Sequence, residues 1–576
     1  MPYATESVRE KFDINEGVFK AGELAEITIG DLLDAQAERY ADRDGLISPY
    51  RNLRLSYAQL RDEVNRVARG LMAIGVKKGD HVAIWAYNYP QWIYTMFATA
   101  KIGAILITVN TNYKTFELEY LLRQSDAMTI IMMEGTKDNN YLEHIYSVCP
   151  ELHECEPGKL QCKKLPYLKN VVFLSEDGSR HDGMFNWDDM TELAENVSES
   201  ERAALQASLH WSDVINMQYT SGTTGFPKGV MLTHYNLVNN GRFIGDGMNF
   251  TEQDRLLVCV PMFHCFGYTL SIMAAITHGS ANILLDYYNP IKVMETVQNE
   301  RCTALNGVPT MFIAMLGHER FDEFDFSTLR TGIMAGSLCP IQTMRQVVER
   351  MNMRELVIVF GQTECSPGMT MSRTDDPLEL RVTTVGRLLP HCEGKIIDPE
   401  TGKEQPPNTP GELVTRGYHV MKGYYKMPEA TKVAVDADGW LHTGDIGEVD
   451  ENGYYKITGR LKDMIIRGGE NIYPREIEEF LYTHNAISDV QVVGVPDEKY
   501  GEEVIAFCIL NRGASATEEE LIEFVRNGLS KYKAPRYIRF TESFPMTASG
   551  KIQKFKLREQ AIAELGREDV YKVDVT

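Results

Sequence analysis

The chain has 576 residues, 43% of them hydrophobic and 24% charged, a soluble globular composition in a length too great for one ordinary domain. Its 59 lysines and arginines against 81 aspartates and glutamates give a formal charge of −22. That charge disfavours non-specific binding to nucleic acid or an anionic membrane, while leaving room for a local basic pocket.

The first residues, MPYATESVREKFDINEG, mix acids and bases and lack the apolar core of a signal peptide, so a cytoplasmic location is expected. From Thr28 to about Ile130, amphipathic helical segments alternate with short apolar runs. SYAQLRDEVNRVARGLMAIGV has apolar residues at helical spacing and leads through KKGD into the strand-like HVAIWAY. The longest apolar stretch, WIYTMFATAKIGAILITV, runs from Trp92 to Val109 and is interrupted by Lys101 and Gly103. It reads as a buried helix entering a buried strand and not as a membrane span.

Residues 149 to 198 are polar and irregular, as expected of a surface excursion. Cys149, His153, Cys155 and Cys162 fall there, but without the short CxxC pairing that zinc sites usually use, so free cysteines in a loop are the better reading than a metal site. The ten cysteines are scattered along the chain, which suits a reducing compartment. Beyond this region RLLVCVP, ANILLD, CTALNGVP, TGIMAG and LVIVFG repeat the strand signal between helical stretches, and an α/β architecture with largely parallel sheets follows. From Glu393 the texture changes to short strands joined by Gly/Asn turns, an antiparallel sheet or small barrel. After Arg460 an α+β unit begins, with a helix near 474–482, strands at DVQVVGVP and EEVIAFCIL, and a helix announced by Thr517 and Glu520 in capping-box spacing.

Residues 219–230, YTSGTTGFPKGV, concentrate hydroxyls (Thr220, Ser221, Thr223, Thr224), glycines (Gly222, Gly225, Gly229) and Lys228 between strand-like VINMQY and helix-like THYNLVNNGRF. Glycines permit close backbone approach, while amides, hydroxyls and an ammonium suit phosphate. A surface turn can share this composition. The Walker spacing fails, because Lys228 follows Pro227 and precedes Gly229, and no GxGxxG is present.

Five further motifs stand in order: PMFHCFG (261–267), VFGQTECSPG (359–368), GWLHTGD (439–445), GRLKDMIIRGGENIYPREIE (459–478) and PMTASGKIQK (545–554). With these, the chain resembles the adenylate-forming superfamily over nearly its whole length. The resemblance implies a large N-terminal domain, residues 1–461, of two α/β subdomains and a small antiparallel β-barrel-like subdomain. A small mobile α+β domain, residues 462–576, would follow, hinged at Lys462. It also implies a two-step reaction: a carboxylate attacks the α-phosphorus of Mg·ATP, and a thiol, here that of CoA, then displaces AMP from the acyl-adenylate.

The same resemblance gives roles to single residues. Thr220, Ser221, Gly222, Thr223, Thr224 and Lys228 would wrap the departing β- and γ-phosphates. Phe360, Gly361 and Gln362 would lie beside adenine and the acyl group, with Gly336 of AGSLCP on the same wall. Thr363 would bind the α-phosphate and Glu364 would hold Mg2+, a hard cation that takes few protein carboxylates. Asp445 would accept from the ribose hydroxyls, with Arg460 beside it, although HTGD is also plausible turn chemistry. Lys551 would meet the charge developing between carboxylate and α-phosphate. Gly468 and Gly469 would line the pantetheine channel after rotation about Lys462. His264 resembles an aromatic gate to that channel, and could equally be core packing between Phe263 and Phe266.

Within the superfamily, PMFHCFG lacks the aspartate with which amino-acid adenylation domains bind an ammonium, and no carrier-protein segment follows Lys551. Acetyl-CoA synthetases place a tryptophan where this chain has Gly361, so a pocket deeper than acetate is expected, and Gly361→Trp would be expected to shorten it. Its expected lining, NGVPTMF, AGSLCP and CSPGM, is small or apolar. The first reading is an acyl-CoA ligase for medium-chain, including branched, fatty acids. The alternatives are an aryl-carboxylate-CoA ligase of benzoate or coumarate type, a ligase loading a carrier protein, and a nucleotide-binding module without catalysis, against which Glu364, Asp445, Arg460 and Lys551 together argue. No nucleic-acid partner and no membrane span are expected; dimers occur in the superfamily, so a homodimer is compatible.

Overall fold

HVAIW (His81–Trp85) and TIIM (Thr129–Met132) are buried along their entire length, as strands covered on both faces must be, and they form the centre of an eight-stranded sheet. The computed structural model describes residues 18–20, 22–136, 139–220, 227–336, 339, 341–467, 470–497, 499–529, 531–547 and 552–567, without the side chains of Lys462, Glu470 and Asn471. The strand order is Gly423–Tyr424, Lys228–Thr233, Val214–Thr220, Ile105–Thr108, His81–Trp85, Thr129–Met132, Asn170–Phe173, Phe185–Asn186. From Val214–Thr220 onward the strands are parallel, and the first two close one edge in antiparallel register.

A nine-stranded sheet repeats the plan. Glu355–Gly361, Thr331–Met334, Ala304–Leu305, Arg255–Val258, Ala281–Leu284 and Asp44–Ser48 are parallel, with antiparallel strands at both edges. The antiparallel texture from Glu393 becomes a four-stranded sheet of Cys392–Ile397, Gly411–Gly417, Leu441–Val449 and Tyr455–Arg460. All three sheets share one continuous hydrophobic core, from Val18 to Ile457.

The rest of the chain builds a five-stranded sheet with helices on both faces. Pro474–Leu481 and Glu518–Gly528 pack on one side over Ile477, Val492 and Leu521, and Lys554–Leu565 packs on the other over Val495, Phe507 and Leu557. These two clusters share no residue with the larger core, and the turn Leu461–Asp463 lies between them and it. The capping box is present: Glu520 N–H donates to Thr517 Oγ1 at 3.1 Å, and Thr517 N–H donates back to Glu520 Oε2 at 2.8 Å.

The apolar stretch from Trp92 divides as expected into a helix, Pro90–Ile102, and a strand, Ile105–Thr108. Lys101 is fully buried and still satisfied, by Asp34 and by Asn65 Oδ1 at 2.6 Å. Among the described residues no helix is long and apolar enough to cross a membrane.

One expectation is corrected. The segment 149–198 is not only a surface excursion, for Asn170–Phe173 is a fully buried strand paired with Thr129–Met132, and the helix Trp187–Glu192 follows it. Four apolar residues within long polar flanks carry little periodic signal; the burial comes from partner strands distant in sequence. Cys149 and Cys162 are buried, whereas His153 is an exposed ring stacked on Tyr146 at 4.1 Å. Among the described residues no group of three or more His, Cys, Asp or Glu could hold a metal.

Two histidines give the fold a dependence on pH. His234, fully buried at the start of the helix His234–Gly247, accepts from Ile29 N–H through Nδ1 at 3.1 Å, and burial pushes its pKa down to about 3. Burial lowers buried His419 to about 4. An unfolded histidine takes up its proton near pH 6.5, so these groups contribute stability that is full above that pH and is lost as pH falls toward the folded values. Each should cost about 1.4 kcal/mol per pH unit across that window. Thermal unfolding at pH 7 and pH 5 should therefore show a fall in Tm that His234→Gln and His419→Gln each make smaller; an equal fall in both variants would refute the assignment.

Candidate active site

The hydroxyl-rich stretch lies between two antiparallel strands, Val214–Thr220 and Lys228–Thr233, with Thr220 opposite Lys228 at the neck. Ser221, Gly222, Thr223 and Thr224 lie outside the described residues. The next strand, Gly423–Tyr424, puts Tyr424 opposite Val230, and the Lys228 ammonium lies 4.8 Å from the centre of the Tyr424 ring. On its other end the Tyr424 hydroxyl donates to Glu364 Oε1 at 2.8 Å. Burial, with Glu364 adjacent, pushes the Tyr424 hydroxyl pKa up, so it remains a donor. The predicted phosphate lysine and the predicted metal carboxylate thus meet on one aromatic ring.

Glu364 stands on a short turn that its neighbours hold rigidly. The strand Glu355–Gly361 delivers Phe360 and Gly361 to it. The Gln362 carbonyl accepts from Cys365 N–H at 2.8 Å and the Thr363 carbonyl from Ser366 N–H at 3.1 Å. Asn240 grips the far side, accepting from Gly368 N–H at 3.0 Å and donating to its carbonyl at 2.7 Å. Ser366 Oγ donates to the His419 carbonyl at 2.6 Å, and Met421 N–H donates to that of Glu364 at 2.9 Å.

His264 precedes the short helix Cys265–Gly267 and accepts from Phe266 N–H through Nδ1 at 3.2 Å, so a neutral ring carries its proton on Nε2. Cys265 Sγ lies 3.6 Å from His264 Nδ1 and 3.7 Å from Thr363 Oγ1, joining the two motifs. Gly336 completes this group: a Cβ there would lie 3.0 Å from Val308 and 4.0 Å from Phe266, so two of the segments expected to line the acyl pocket, NGVPTMF and AGSLCP, converge beside PMFHCFG.

Asp445 and Arg460 form a second group on the four-stranded sheet, in register with each other, with Arg460 Nε 3.1 Å from Asp445 Oδ1. Asp445 is only 4% exposed. Glu412 orders the strand residues before Asp445: it accepts from His442 Nδ1 at 2.9 Å and from Gly444 N–H at 3.1 Å. The groups connect through His419, whose Nε2 is 2.9 Å from Thr415 Oγ1, and Thr415 is the register partner of Leu441 on the Asp445 strand. The Lys462 backbone belongs to the turn directly after Arg460. Lys551, Gly468 and Gly469 lie outside the described residues. Sequence reading missed Tyr424 and Glu412, which stand in KGYYKM and GELVTRG with no local mark of a role; Tyr424 meets its carboxylate across 60 positions.

The tryptophan comparison at Gly361 needs correction as a test of pocket depth. A Cβ at Gly361 would lie 1.9 Å from the Pro367 carbonyl oxygen and 3.1 Å from Cys365 Sγ. Any side chain there must displace the 361–367 turn that carries Glu364 before it can reach a substrate. Gly361→Ala should lower stability by about 2 kcal/mol and depress adenylation together, readable as Tm and carboxylate-dependent pyrophosphate exchange. An alanine variant with unchanged Tm and exchange would contradict this.

Comparison with known proteins agrees with the layout. Residues 33–425 match the AMP-binding enzyme family, and residues 476–551 match the AMP-binding enzyme C-terminal domain. The chain is 53% identical over 540 residues to YngI of Bacillus subtilis, whose name assigns it provisionally to the acyl-CoA synthetases, covering 94% of this chain and 98% of that one. It is 43% identical to the mitochondrial medium-chain acyl-CoA ligase ACSF2 of Rattus norvegicus, covering 93% and 88%. Among solved structures, the anthranilate CoA ligase AuaEII in complex with anthranoyl-AMP superposes with a TM-score of 0.82 at 26% identity, covering 95% of this chain and 100% of that one. By the span of that match and these identities, the chain belongs to the AMP-binding enzyme family.

Proposed function

We propose that the protein is an ATP-dependent acyl-CoA ligase that activates a medium-chain fatty acid, branched ones included, as its acyl-adenylate and then forms the CoA thioester. The observation that carries this is the meeting of Lys228 and Glu364 on Tyr424, at the neck of the hydroxyl-rich hairpin. A cation there suits a departing pyrophosphate, and the carboxylate beside it suits the metal that accompanies ATP. Membership in the AMP-binding enzyme family and the name of the rat relative support the acid class.

In this reading Thr363 holds the α-phosphate, Asp445 and Arg460 hold the ribose, and Phe360, Gly361 and Gln362 flank adenine. The acid lies among Val308, Gly336 and Phe266, and His264 borders the thiol's approach. Glu364 fits Mg2+, since a single carboxylate is what that ion commonly takes from protein when phosphates supply its other oxygens. When bound, Mg2+ would neutralise charge on the phosphates. Residues 1–461 and 462–576 are the proposed domains, with Lys462 as the hinge; the separate hydrophobic cores either side of Leu461–Asp463 support a rotation there. Lys551 brings an ammonium to the reacting carboxylate, and Gly468 and Gly469 leave room for pantetheine. The proposed location is cytoplasmic, supported by the scattered free cysteines, although the rat relative is named mitochondrial. Whether monomer or homodimer, the reading is the same, because all its residues lie in one chain.

The test is AMP release with ATP, CoA and acids from acetate to palmitate, branched and aromatic acids included. Maximal activity on medium chains supports the proposal, and a preference for benzoate or coumarate would replace it with the aryl reading. Lys551→Ala should lose about a hundredfold or more in pyrophosphate exchange while still turning preformed acyl-adenylate and CoA into thioester. Lys462→Pro should do the reverse, keeping adenylation and losing thioester formation; normal CoA turnover in that variant would reject the rotation.

A further inference from the structure

The helix Thr115–Gln124 belongs to none of the motifs, yet its side chains reach the pyrophosphate side of the site from behind. The Tyr120 hydroxyl donates to the Pro227 carbonyl at 3.1 Å, immediately before Lys228. Gln124 uses both ends of its carboxamide. Its Oε1 accepts from the Tyr219 hydroxyl, and Tyr219 is the register partner of Gly229. Its Nε2 donates to the Tyr425 carbonyl at 2.9 Å, while Tyr425 N–H donates to the Gly229 carbonyl at 2.8 Å. Just past the helix, Asp126 accepts from the Tyr425 hydroxyl at 2.9 Å.

We infer that Tyr120 and Gln124 are positioning residues for the departing pyrophosphate, acting through Lys228 and the Tyr424–Glu364 pair. Three adjacent strands contribute to that cluster: Val214–Thr220 bears Tyr219, Lys228–Thr233 begins with the lysine, and Gly423–Tyr424 ends in the tyrosine. Backbone pairing alone fixes their spacing. The carboxamide also fixes their relative slide, because it holds a side chain of the first strand and the carbonyl that follows the third at once. A carboxylate would keep the bond from Tyr219 and lose the one to Tyr425, and an alkyl group would lose both. An ammonium displaced by a fraction of an ångström from a transferring phosphate loses much of its effect. This inference rests on the proposed role of Lys228 and Glu364 at the β- and γ-phosphates.

AMP provides the discriminating probe, since it carries the adenine, ribose and α-phosphate but no departing phosphates. Gln124→Leu should raise the KM for ATP about tenfold, and Tyr120→Phe, which keeps the ring packing, about fivefold, as for the loss of one or two hydrogen bonds. The Kd for AMP and the conversion of preformed acyl-adenylate with CoA should stay at their wild-type values. Equal weakening of ATP and AMP in both variants, or no change in either, would overturn the inference, the first outcome marking a purely structural role. Lys228→Met is measured alongside. If it too fails to separate ATP from AMP, the proposed role of Lys228 falls; if it separates them and Gln124→Leu and Tyr120→Phe do not, only the positioning role falls.

Discussion

An ammonium and a carboxylate brought close together will pair and cancel unless something stands between them. Tyr424 stands between Lys228 and Glu364, offering its ring face to the one and its hydroxyl to the other. Among the described residues no ion pair joins the two directly, so both charges are held ready for other partners. The remaining architecture serves that arrangement. The eight-stranded sheet supplies the strands of Lys228 and Tyr424, the nine-stranded sheet supplies the strand leading to Glu364, and the tyrosine bridges the two layers. A site at the end of parallel strands, between two sheets, is where open α/β folds gather polar groups without burying them unpaired.

The turn bearing Glu364 illustrates how such a site is kept rigid by hydrogen bonds and close backbone packing. Hydrogen bonds from Asn240, Ser366 and Met421 fix it on separate sides, and Gly361 lets the Pro367 carbonyl approach where no side chain could fit. Rigidity there contrasts with the contact to the smaller unit. Arg475 donates to the Ile457 carbonyl across the junction, a side chain on a backbone oxygen. A polar contact of this kind exchanges readily with water, in contrast to the interdigitated apolar cores on either side. The apolar residues thus fall into separate cores on either side of the junction, as the proposed rotation requires.

Much of this was legible in the chain itself. The alternation of helical and strand-like runs gave the α/β layers because burial on both faces forces runs such as HVAIW to be apolar throughout. Thr517 and Glu520 announced a helix start through a local, three-residue relation. Motif order placed Lys228, Glu364, Asp445 and Arg460 as candidates, and the fold pairs the last two strand to strand. What escaped depends on distance along the chain. NVVF is a central strand only because Thr129–Met132 lies beside it, and Tyr424 matters only because a turn 60 residues earlier presents a carboxylate to it. Gly361 misled for a subtler reason: its lack of a side chain suggested substrate space, whereas the space is already taken by a carbonyl of its own turn.

The ten cysteines acquire a meaning from their surroundings. Eight are buried, and burial raises the thiol pKa of Cys149, Cys259, Cys302, Cys339, Cys365 and Cys508, with Cys392, half-buried, pushed up to about 12. Only a thiolate is a competent nucleophile, so these sulfurs are chemically quiet at neutral pH. A ligase that holds an activated acyl group and must deliver it to one external thiol faces a selectivity problem among sulfurs. Burial answers part of it by protonation: these seven thiols are kept in the form that cannot compete for the acyl group.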